Sequence, residues 1–416
     1  MVEDVTAAQL VERLESHLAP ASLAALRACE RLCRGRGASL YLVGGAVRDL
    51  LLGRETIDLD LAVEADVAPI AQALAAQTEG RAVVHQRFGT ASVRGAGFRL
   101  DLARTRRESY AQPGALPSVA LATIVEDMAR RDFTINALAL RLAPPPAELV
   151  DPYRGLADLR DGLVRVLHER SFQDDATRML RSVRYAARLG FEVSRQTEAL
   201  IRRHLRYLDA ISGPRLRREL SLLFEEPGAV DGAETAERLG VLEAIHPALR
   251  LDSRKAERWR QALAGERFAP LDELGFCFLI DPRTGADVDS VPARLHLAGR
   301  VQRALRDLVR LRAASAKLTP ARPSPAAIVE LLDGRAASAV WALAFLDAAQ
   351  VNEACLSYLG AWRRVRPHLR GGELLALGVA PGAAVGEALR KLRRARLEGR
   401  VKTRADEVEL VRRELV

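Results

Sequence analysis

The sequence predicts an α+β fold, in which a small mixed sheet comes first and an all-helical region follows. Between residues 38 and 142, short runs with the two-residue period of strands alternate with helical segments. Beyond the proline run at residues 143–146, almost every segment repeats its apolar residues at helical spacing. The composition, 49% apolar and 28% charged over 416 residues, is typical of a globular protein with two or three domains.

Apolar spacing and glycine or proline breaks define the elements. Leucines at helical spacing predict helices before residue 38, and Gly44-Gly45 ends the first strand. In order, we expect helices over 4–36, a strand over 40–43, a helix over 46–52, a strand over 57–63, a helix over 67–78 and strands over 81–95 and 97–103. After the proline run, we expect helices over 171–190, 195–209 and 213–225, and further helices to the end of the chain.

Charge and cysteine content narrow the class of protein. The net charge is +9, with 63 basic residues against 54 acidic ones, so a polyanionic partner is electrostatically favoured. Four scattered cysteines do not make a disulfide framework, and Cys29 and Cys33 lack the second pair of ligands that a zinc site needs. No apolar run spans a bilayer and the N-terminus lacks a signal pattern, so we expect a cytoplasmic protein without a membrane partner.

The segment LVGGAVRD, residues 42–49, has the features of a phosphate-binding turn. A strand, a Gly-Gly turn and a helix start let the backbone approach an anion, and the N–H groups of the first helical turn favour it. Arg48 adds a forked donor to that turn. Taken alone, a Gly-Gly turn before a helix is common and mostly structural.

A pair of carboxylates follows. Asp58 and Asp60 are two residues apart on a predicted strand, so they point to the same face. Two neighbouring carboxylates repel unless a cation lies between them, and Mg²⁺ completed by substrate phosphates is a common solution. Asp101, on an adjacent predicted strand, is a candidate third carboxylate. A solvated strand face is the alternative for the pair, but its combination with the Gly-Gly turn and Arg48 is far more specific.

Together these motifs resemble the class II tRNA nucleotidyltransferases, or CCA-adding enzymes, and the bacterial poly(A) polymerases. The sequence GGAVRDLLLGRETIDLD (residues 44–60) matches the family's first motif without a gap, and RRDFTINA (130–137) matches its second. A third resemblance covers 151–159, a fourth begins at Asp174 where many members have Glu, and a fifth spans Arg215 to Glu219. The ordered set extends over residues 40–225.

The resemblance implies a polymerase-beta-type nucleotidyltransferase head followed by a helical neck, body and tail. It implies these domains: N-terminal helices (1–37), the catalytic head (38–145), a neck that reads the nucleotide base (146–230), and a body and tail that bind tRNA (231–416). The implied reaction is attack of an RNA 3′-hydroxyl on the α-phosphate of CTP or ATP, with release of pyrophosphate. Asp58 and Asp60 would hold Mg²⁺ and serve as the catalytic residues.

The resemblance also implies the nucleotide-binding residues, which are Gly45, Arg48, Arg131, Asp132, Asp175, Arg178, Arg181 and Arg184. Asp175 and Arg178 are three residues apart, so we expect them to share a helix face. A carboxylate that accepts from an exocyclic amine and a guanidinium that donates to a ring nitrogen select C and A over U and G. Asn136 is suited either to the ribose hydroxyls of the nucleotide or to a buried network. For the arginines, the alternative to nucleotide binding is a solvated basic face.

Alternatives within and outside the family remain open. Addition of A alone and poly(A) synthesis are the alternatives to full CCA addition, whereas the uninterrupted segment from Arg104 to Asp127 disfavours the CC-only enzymes, which have a shortened loop there. A non-catalytic RNA-binding protein would keep the fold but not need Asp60. The eight basic residues between Arg390 and Arg404 suit either RNA binding or an ordinary solvated helix.

Overall fold

The computed structural model describes residues 5–54, 59–109, 118–266, 268–280, 287–318 and 323–414. The chain forms two compact units. The first consists of residues 1–211, 226–228 and 239–244, and the second of residues 212–225, 229–238 and 245–416. The α+β fold class is confirmed, since the strands belong to the first unit and the second is helical.

Seven strands of the described residues form one mixed sheet in the order β3-β4-β5-β2-β1-β8-β9. They are β1 (Leu40–Val43), β2 (Asp60–Val63), β3 (Arg81–His85), β4 (Thr90–Gly95), β5 (Phe98–Arg104), β8 (Ala139–Ala143) and β9 (Glu148–Val150). Two small pairs complete the strands: β6 (Arg106–Ser109) with β7 (Ser118–Leu121), and β10 (Leu163–Val164) with β11 (Glu192–Val193). Within the large sheet β2 and β5 are parallel, and the other neighbours are antiparallel.

Helices α1–α9 belong to the first unit. They are α1 (Ala7–His17), α2 (Pro20–Arg34), α3 (Gly45–Leu51), α4 (Val67–Gln77), α5 (Ile124–Ala129), α6 (Gly155–Asp161), α7 (Ser171–Asp174), α8 (Thr177–Leu189) and α9 (Arg195–His204). Helices α2 and α4 pack on one face of the sheet, against the buried side chains of β4 and β5. The opposite face is covered by α5 around β1 and β8, and it is open over β3, β4 and β5.

Alternation along the strands explains these two faces. On β4, Ala91 and Val93 are buried, whereas Thr90, Ser92 and Arg94 point the other way. Polar residues on the open face therefore come from every second position, which is the pattern that keeps one face of a sheet solvated.

Most predicted elements of the first unit are confirmed, with two differences in the sheet. The strand expected over 81–95 is two strands, because Gln86–Phe88 forms a short 3₁₀ turn that Gly89 closes with φ of +61°. The proline run also does not end the sheet. It joins β8 to β9 in an antiparallel hairpin, so strand pairing continues to Val150. The expected division into N-terminal helices, head, neck and body stays a prediction.

The helix expected over 171–190 is broken. It is interrupted at Asp175, whose backbone is extended (φ −150°, ψ 103°) between α7 and α8. The Asp175 carboxylate accepts hydrogen bonds from the backbone N–H of Thr177, at 3.0 Å, and from its hydroxyl, at 2.7 Å. Such side-chain-to-backbone bonds compete with continuous helix and start a new one.

The remaining helices run from residue 213 to the end of the described chain. They are α10 (Gly213–Glu225), α11 (Ala229–Arg238), α12 (Val241–Ile245), α13 (Ser253–Ala264), α14 (Leu271–Leu279), α15 (Asp287–Leu295), α16 (Gly299–Ala314), α17 (Pro325–Leu332), α18 (Ala337–Leu346), α19 (Ala349–Gly360), α20 (Gly371–Ala376), α21 (Ala383–Leu397) and α22 (Arg404–Glu414). Aromatic rings of Phe224, Trp259 and Phe276 pack edge to face in the second unit's core. Among the helices of the described ranges, none has both the length and the apolar character needed to cross a membrane.

Candidate nucleotide-binding cleft

Two carboxylates open onto a cleft of about 850 Å³ on the open face of the sheet. Asp60 begins β2 and Asp101 lies on β5, and these residues are partners in the parallel register of the two strands. Because partners in register point to the same face, both carboxylates line the cleft. The predicted place of Asp101 on the strand next to Asp60 is confirmed. Asp58 lies outside the described residues.

The donor chemistry of this pair fits a magnesium ion. Asp60 is exposed, and the Asp101 side chain is 41% exposed and paired with Arg99 at 2.8 Å. Within the described ranges, no three His, Cys, Asp or Glu side chains come together as a metal site. Mg²⁺ needs no such cage, since one or two carboxylates, waters and substrate phosphates complete its octahedron. Asp60 and Asp101 would therefore hold Mg²⁺ together with a bound nucleotide.

The Gly-Gly turn after β1 is shaped by an arginine that packs against it. Gly44 has φ of +71° and ψ of −128°, a conformation that L side chains rarely adopt. A Cβ on Gly44 would also collide with Nη1 of Arg131. Glycine at this position therefore lets Arg131 approach the turn, and the Arg131 side chain lines the cleft beside Val43.

Two hydrogen bonds position the Arg131 side chain. Its guanidinium donates to Oδ2 of Asp127 and to the backbone carbonyl of Asn136, both at 3.4 Å. Burial lowers the pKa of Arg131 from its ordinary value, an effect that the nearby Asp127 carboxylate partly offsets. Long bonds to its partners leave this guanidinium well suited to an added anion at the cleft.

Arg48 lies on the inner side of the same turn. It is 2% exposed, and its guanidinium donates twice to Asp49, with both bonds at 2.9 Å. A third bond runs from Nη1 to Oδ1 of Asn136 at 2.5 Å. These bonds occupy both edges of the guanidinium, so Arg48 fixes the turn and the start of α3, where Gly45 is the first helical residue.

Asp132 extends this buried network to α8. Its Oδ1 accepts from Nδ2 of Asn136 at 3.0 Å, and its Oδ2 accepts two bonds from the Arg181 guanidinium. Burial acts to raise the pKa of Asp132, but the charge of Arg181 and these hydrogen bonds outweigh it and hold the pKa below its usual value. Arg48, Asn136, Asp132 and Arg181 therefore form one connected chain, so the buried network considered for Asn136 is present.

Arg178 and Arg184, two of the arginines on α8, are buried and have partners within the protein. Arg178 is 6% exposed and donates from Nη2 to the backbone carbonyl of Arg130 at 2.7 Å. Arg184 is 7% exposed and pairs with Glu226 at 3.4 Å. The expectation that Asp175 and Arg178 share a helix face is wrong, because Asp175 lies before α8 in extended backbone, where its carboxylate accepts from Thr177. Asp175 nevertheless lies only three residues before Arg178 in the chain.

Tyr185 is a member of this region that sequence reasoning missed. Its ring centroid lies 5.3 Å from the guanidinium carbon of Arg48, 5.5 Å from that of Arg181 and 5.1 Å from that of Arg184. Phe133 meets the same ring edge to face, with centroids 5.5 Å apart. An aromatic residue directly after Arg184, on a basic helix face, was the available signal.

The C-terminal basic cluster is largely paired. Six of its eight cations form ion pairs with carboxylates of the second unit: Lys391, Arg393, Arg394, Arg396, Arg400 and Arg404. Arg396 pairs with the buried Glu407 at 3.1 Å, and Arg393 pairs with Asp333 at 2.7 Å. Much of this cluster therefore holds α21 and α22 in place.

Comparisons with known proteins agree with the geometry. The Poly A polymerase head domain family matches residues 40–165, and a family described as the probable RNA and SrmB-binding site of polymerase A matches residues 190–252. A CC-adding tRNA nucleotidyltransferase of Deinococcus radiodurans is 34% identical over 90% of this chain and 88% of its own length. An A-adding tRNA nucleotidyltransferase of Geobacter sulfurreducens is 32% identical over 97% of this chain.

Solved structures show the same fold. The Thermotoga maritima CCA-adding enzyme complexed with tRNA matches with a TM-score of 0.83 and 27% identity, over 98% of each chain. The chain spans about half the length of the A-adding relative from Geobacter, 48% of which is covered.

Proposed function

The chain belongs to the family of tRNA nucleotidyltransferases and poly(A) polymerases, and from this premise we propose that it adds C and A nucleotides to the 3′ end of tRNA. CTP and ATP donate the nucleotides, and pyrophosphate is released. The observation that carries the proposal is the Asp60 and Asp101 pair, which is in register, exposed and open to a cleft large enough for a nucleotide. The same residues make the protein an Mg²⁺-dependent transferase, with Asp58 as a further ligand. We place the reaction in the cytoplasm, where tRNA is processed.

In the reaction, the RNA 3′-oxygen forms a bond to the α-phosphorus while the bond from that phosphorus to the bridging oxygen of pyrophosphate breaks. The hydroxyl proton leaves to a carboxylate or water at the cleft. Mg²⁺, when bound, supplies positive charge that lowers the pKa of the hydroxyl and stabilises the leaving pyrophosphate. Asp60 and Asp101 position that charge, and Arg131 binds the triphosphate at the edge of the cleft.

Of the remaining residues predicted to bind the nucleotide, some contact it and others position the residues that do. Arg48 and Asp132 are committed to the buried network, so they position the turn with Gly45 and the arginines of α8. Asp175 and Arg178 present the carboxylate and guanidinium that distinguish C and A from U and G, since a mismatched buried polar group costs about 1–3 kcal/mol. Arg181 and Arg184 orient this pair through α8.

Two relatives favour narrower activities. The Geobacter relative is named for A addition, and the Deinococcus relative is named for CC addition. Against CC addition alone, the segment between β5 and α5 is full length in this chain and forms β6 and β7. Addition of A alone is the second candidate, favoured by the match to the Geobacter enzyme.

The test uses tRNA transcripts that end before CCA, after C and after CC, each incubated with one nucleotide at a time. A full CCA-adding enzyme extends all three with the correct nucleotide. An A-adding enzyme extends only the transcript ending in CC, and a CC-adding enzyme stops before A. A protein that binds tRNA and extends none of them contradicts the proposal and indicates a non-catalytic RNA-binding protein.

A further inference from the structure

Three arginines form a row across the open face of the sheet. Arg81 on β3 pairs in register with Arg94 on β4, and Arg94 pairs with Arg99 on β5. All three side chains are exposed and line the same cleft as Asp60 and Asp101. Adjacent strands are about 4.8 Å apart, so the row extends roughly 10 Å across the sheet.

This row carries uncompensated positive charge. Like charges directly opposite one another on neighbouring strands are destabilising. Arg99 is neutralised by Asp101 at 2.8 Å, but within the described ranges neither Arg81 nor Arg94 has a carboxylate partner. Two residues from Arg94 along β4, on the same face, Ser92 lies between Asp101 and Val83, and its hydroxyl oxygen has no hydrogen-bond partner in the described residues. Unpaired cations and an unpaired hydroxyl on one cleft wall indicate an anionic ligand that brings acceptor oxygens.

The strand order separates this row from the residues proposed to bind the nucleotide. In the order β3-β4-β5-β2-β1, the carboxylates lie on β5 and β2. Arg131 and the Gly-Gly turn adjoin β1, whereas Arg81 and Arg94 are on β3 and β4. In-line displacement at phosphorus requires the attacking and leaving oxygens on opposite sides of the phosphorus. The RNA whose 3′-hydroxyl attacks therefore has to reach the carboxylates from the side opposite the triphosphate.

We propose that the Arg81–Arg94–Arg99 row binds the phosphodiester backbone of the RNA strand whose 3′-hydroxyl reaches Asp60. The proposal rests on the proposed function and adds the path of the RNA substrate. Successive residues of a strand are about 3.4 Å apart, so the row is about 7 Å from the carboxylates. That spacing places backbone phosphates near the end of the RNA on the arginines while the terminal hydroxyl is at the cation site.

The experiment compares Arg81→Gln, Arg94→Gln and the double variant with Arg36→Gln, an exposed arginine after α2 that serves as the matched control. KM is measured separately for tRNA and for the nucleotide, and tRNA binding is measured at several salt concentrations by fluorescence anisotropy. We expect KM for tRNA to rise roughly three- to tenfold per arginine, and the salt slope of binding to fall by about one for each. KM for CTP and ATP stays at the wild-type value, as do all parameters of Arg36→Gln.

Other results overturn the proposal. A rise in KM for the nucleotide without one for tRNA assigns the row to the triphosphate. Unchanged values and an unchanged salt slope in the double variant show that the row binds neither substrate. If the wild-type protein extends no tRNA, the proposed function fails, but the binding arm still decides whether the arginine row contacts RNA. Because both side chains are exposed, an unchanged unfolding midpoint is expected and shows that misfolding is not the cause.

Discussion

The open cleft and the buried network behind it use charged residues in opposite ways. In the cleft, Asp60 and the arginine row are exposed and Asp101 is partly exposed, and within the described ranges Arg81 and Arg94 have no carboxylate partner. In the network, Arg48 is 2% exposed and Asp132 is 9% exposed, and each makes several hydrogen bonds to charged or polar partners. Exposed charges remain available to a ligand, whereas buried charges must be satisfied within the protein.

The contrast indicates how the two regions share the work. Changes in the cleft should affect chemistry and binding with little effect on folding, because water already solvates these side chains. Changes in the network should affect stability as well, because removal of one member leaves another buried and unpaired. Each variant below tests one side of this comparison.

We expect the largest effect at Asp60. Asp60→Asn removes the charge that holds the catalytic cation, so nucleotide incorporation should fall more than roughly a hundredfold. The unfolding free energy should change by no more than about 0.5 kcal/mol, since Asp60 is exposed. Incorporation assays and chemical denaturation measure the two quantities. Asp161→Asn, an exposed carboxylate on α6, is the control, and retention of more than about one hundredth of the wild-type rate by Asp60→Asn would contradict the assignment.

A substitution at Asp132 tests the buried network. Asp132→Asn keeps the size of the side chain but removes the charge opposite Arg181, so the unfolding free energy should fall by about 3 kcal/mol. Incorporation should fall too, because Arg181 and Asn136 lose their common partner. A stable variant with normal folding would show that the network is dispensable.

The pH dependence of the difference in unfolding free energy between wild type and Asp132→Asn provides a control. The pKa of Asp132 is held below its ordinary value of 3.8, so its carboxylate stabilises the fold above that pH, and this contribution is lost as pH falls through the lowered pKa. The difference in unfolding free energy between wild type and Asp132→Asn should therefore be constant near neutral pH and shrink below about pH 3.8. A difference in unfolding free energy that increases as the pH falls would show that it does not come from the Asp132 carboxylate.

Much of the fold followed from local sequence signals, and the departures have local causes. The break at residues 86–88 depends on Gly89, whose positive φ closes a turn inside an otherwise strand-like run. The hairpin from β8 to β9 was missed because prolines, which cannot donate to a sheet, also occur in the turn between paired strands. The break before α8 depends on Asp175 bonding to Thr177, which helical periodicity alone does not reveal.

The site was predictable to the extent that its residues lie in short motifs. Asp60, Gly45 and Arg48 share one segment, and the register that aligns Asp60 with Asp101 follows from two adjacent strands. The bond from Arg181 to Asp132 joins segments that are distant in the chain, so no spacing rule predicts it. The same holds for Tyr185, whose three guanidinium neighbours come from two separate helices.

Asp175 tests base choice with a smaller expected effect. The amide oxygen of asparagine can still accept from the backbone N–H of Thr177, so Asp175→Asn keeps the start of α8 while replacing a pure acceptor with an amide that can donate. Incorporation of U and G relative to C and A should rise by an amount equivalent to about 1–3 kcal/mol. Rates for all four nucleotides on one tRNA measure the ratio. An equal loss for every nucleotide would mean that Asp175 only supports the helix.

Tyr185, which packs against arginines behind the cleft and not in it, should give the smallest effect. Its ring faces Arg48 of the turn and both Arg181 and Arg184 of α8, so it keeps the guanidiniums of the network in one arrangement. Each such contact contributes about 0.5–1 kcal/mol. Tyr185→Phe keeps the ring and should resemble wild type, whereas Tyr185→Leu should lose a few-fold in discrimination among the four nucleotides. Tyr207→Leu, which loses contacts to Arg206 and His204 and none to the network, is the matched control. If Tyr185→Phe falls as far as Tyr185→Leu, the hydroxyl and not the ring is responsible, and the aromatic link between the turn and α8 is wrong.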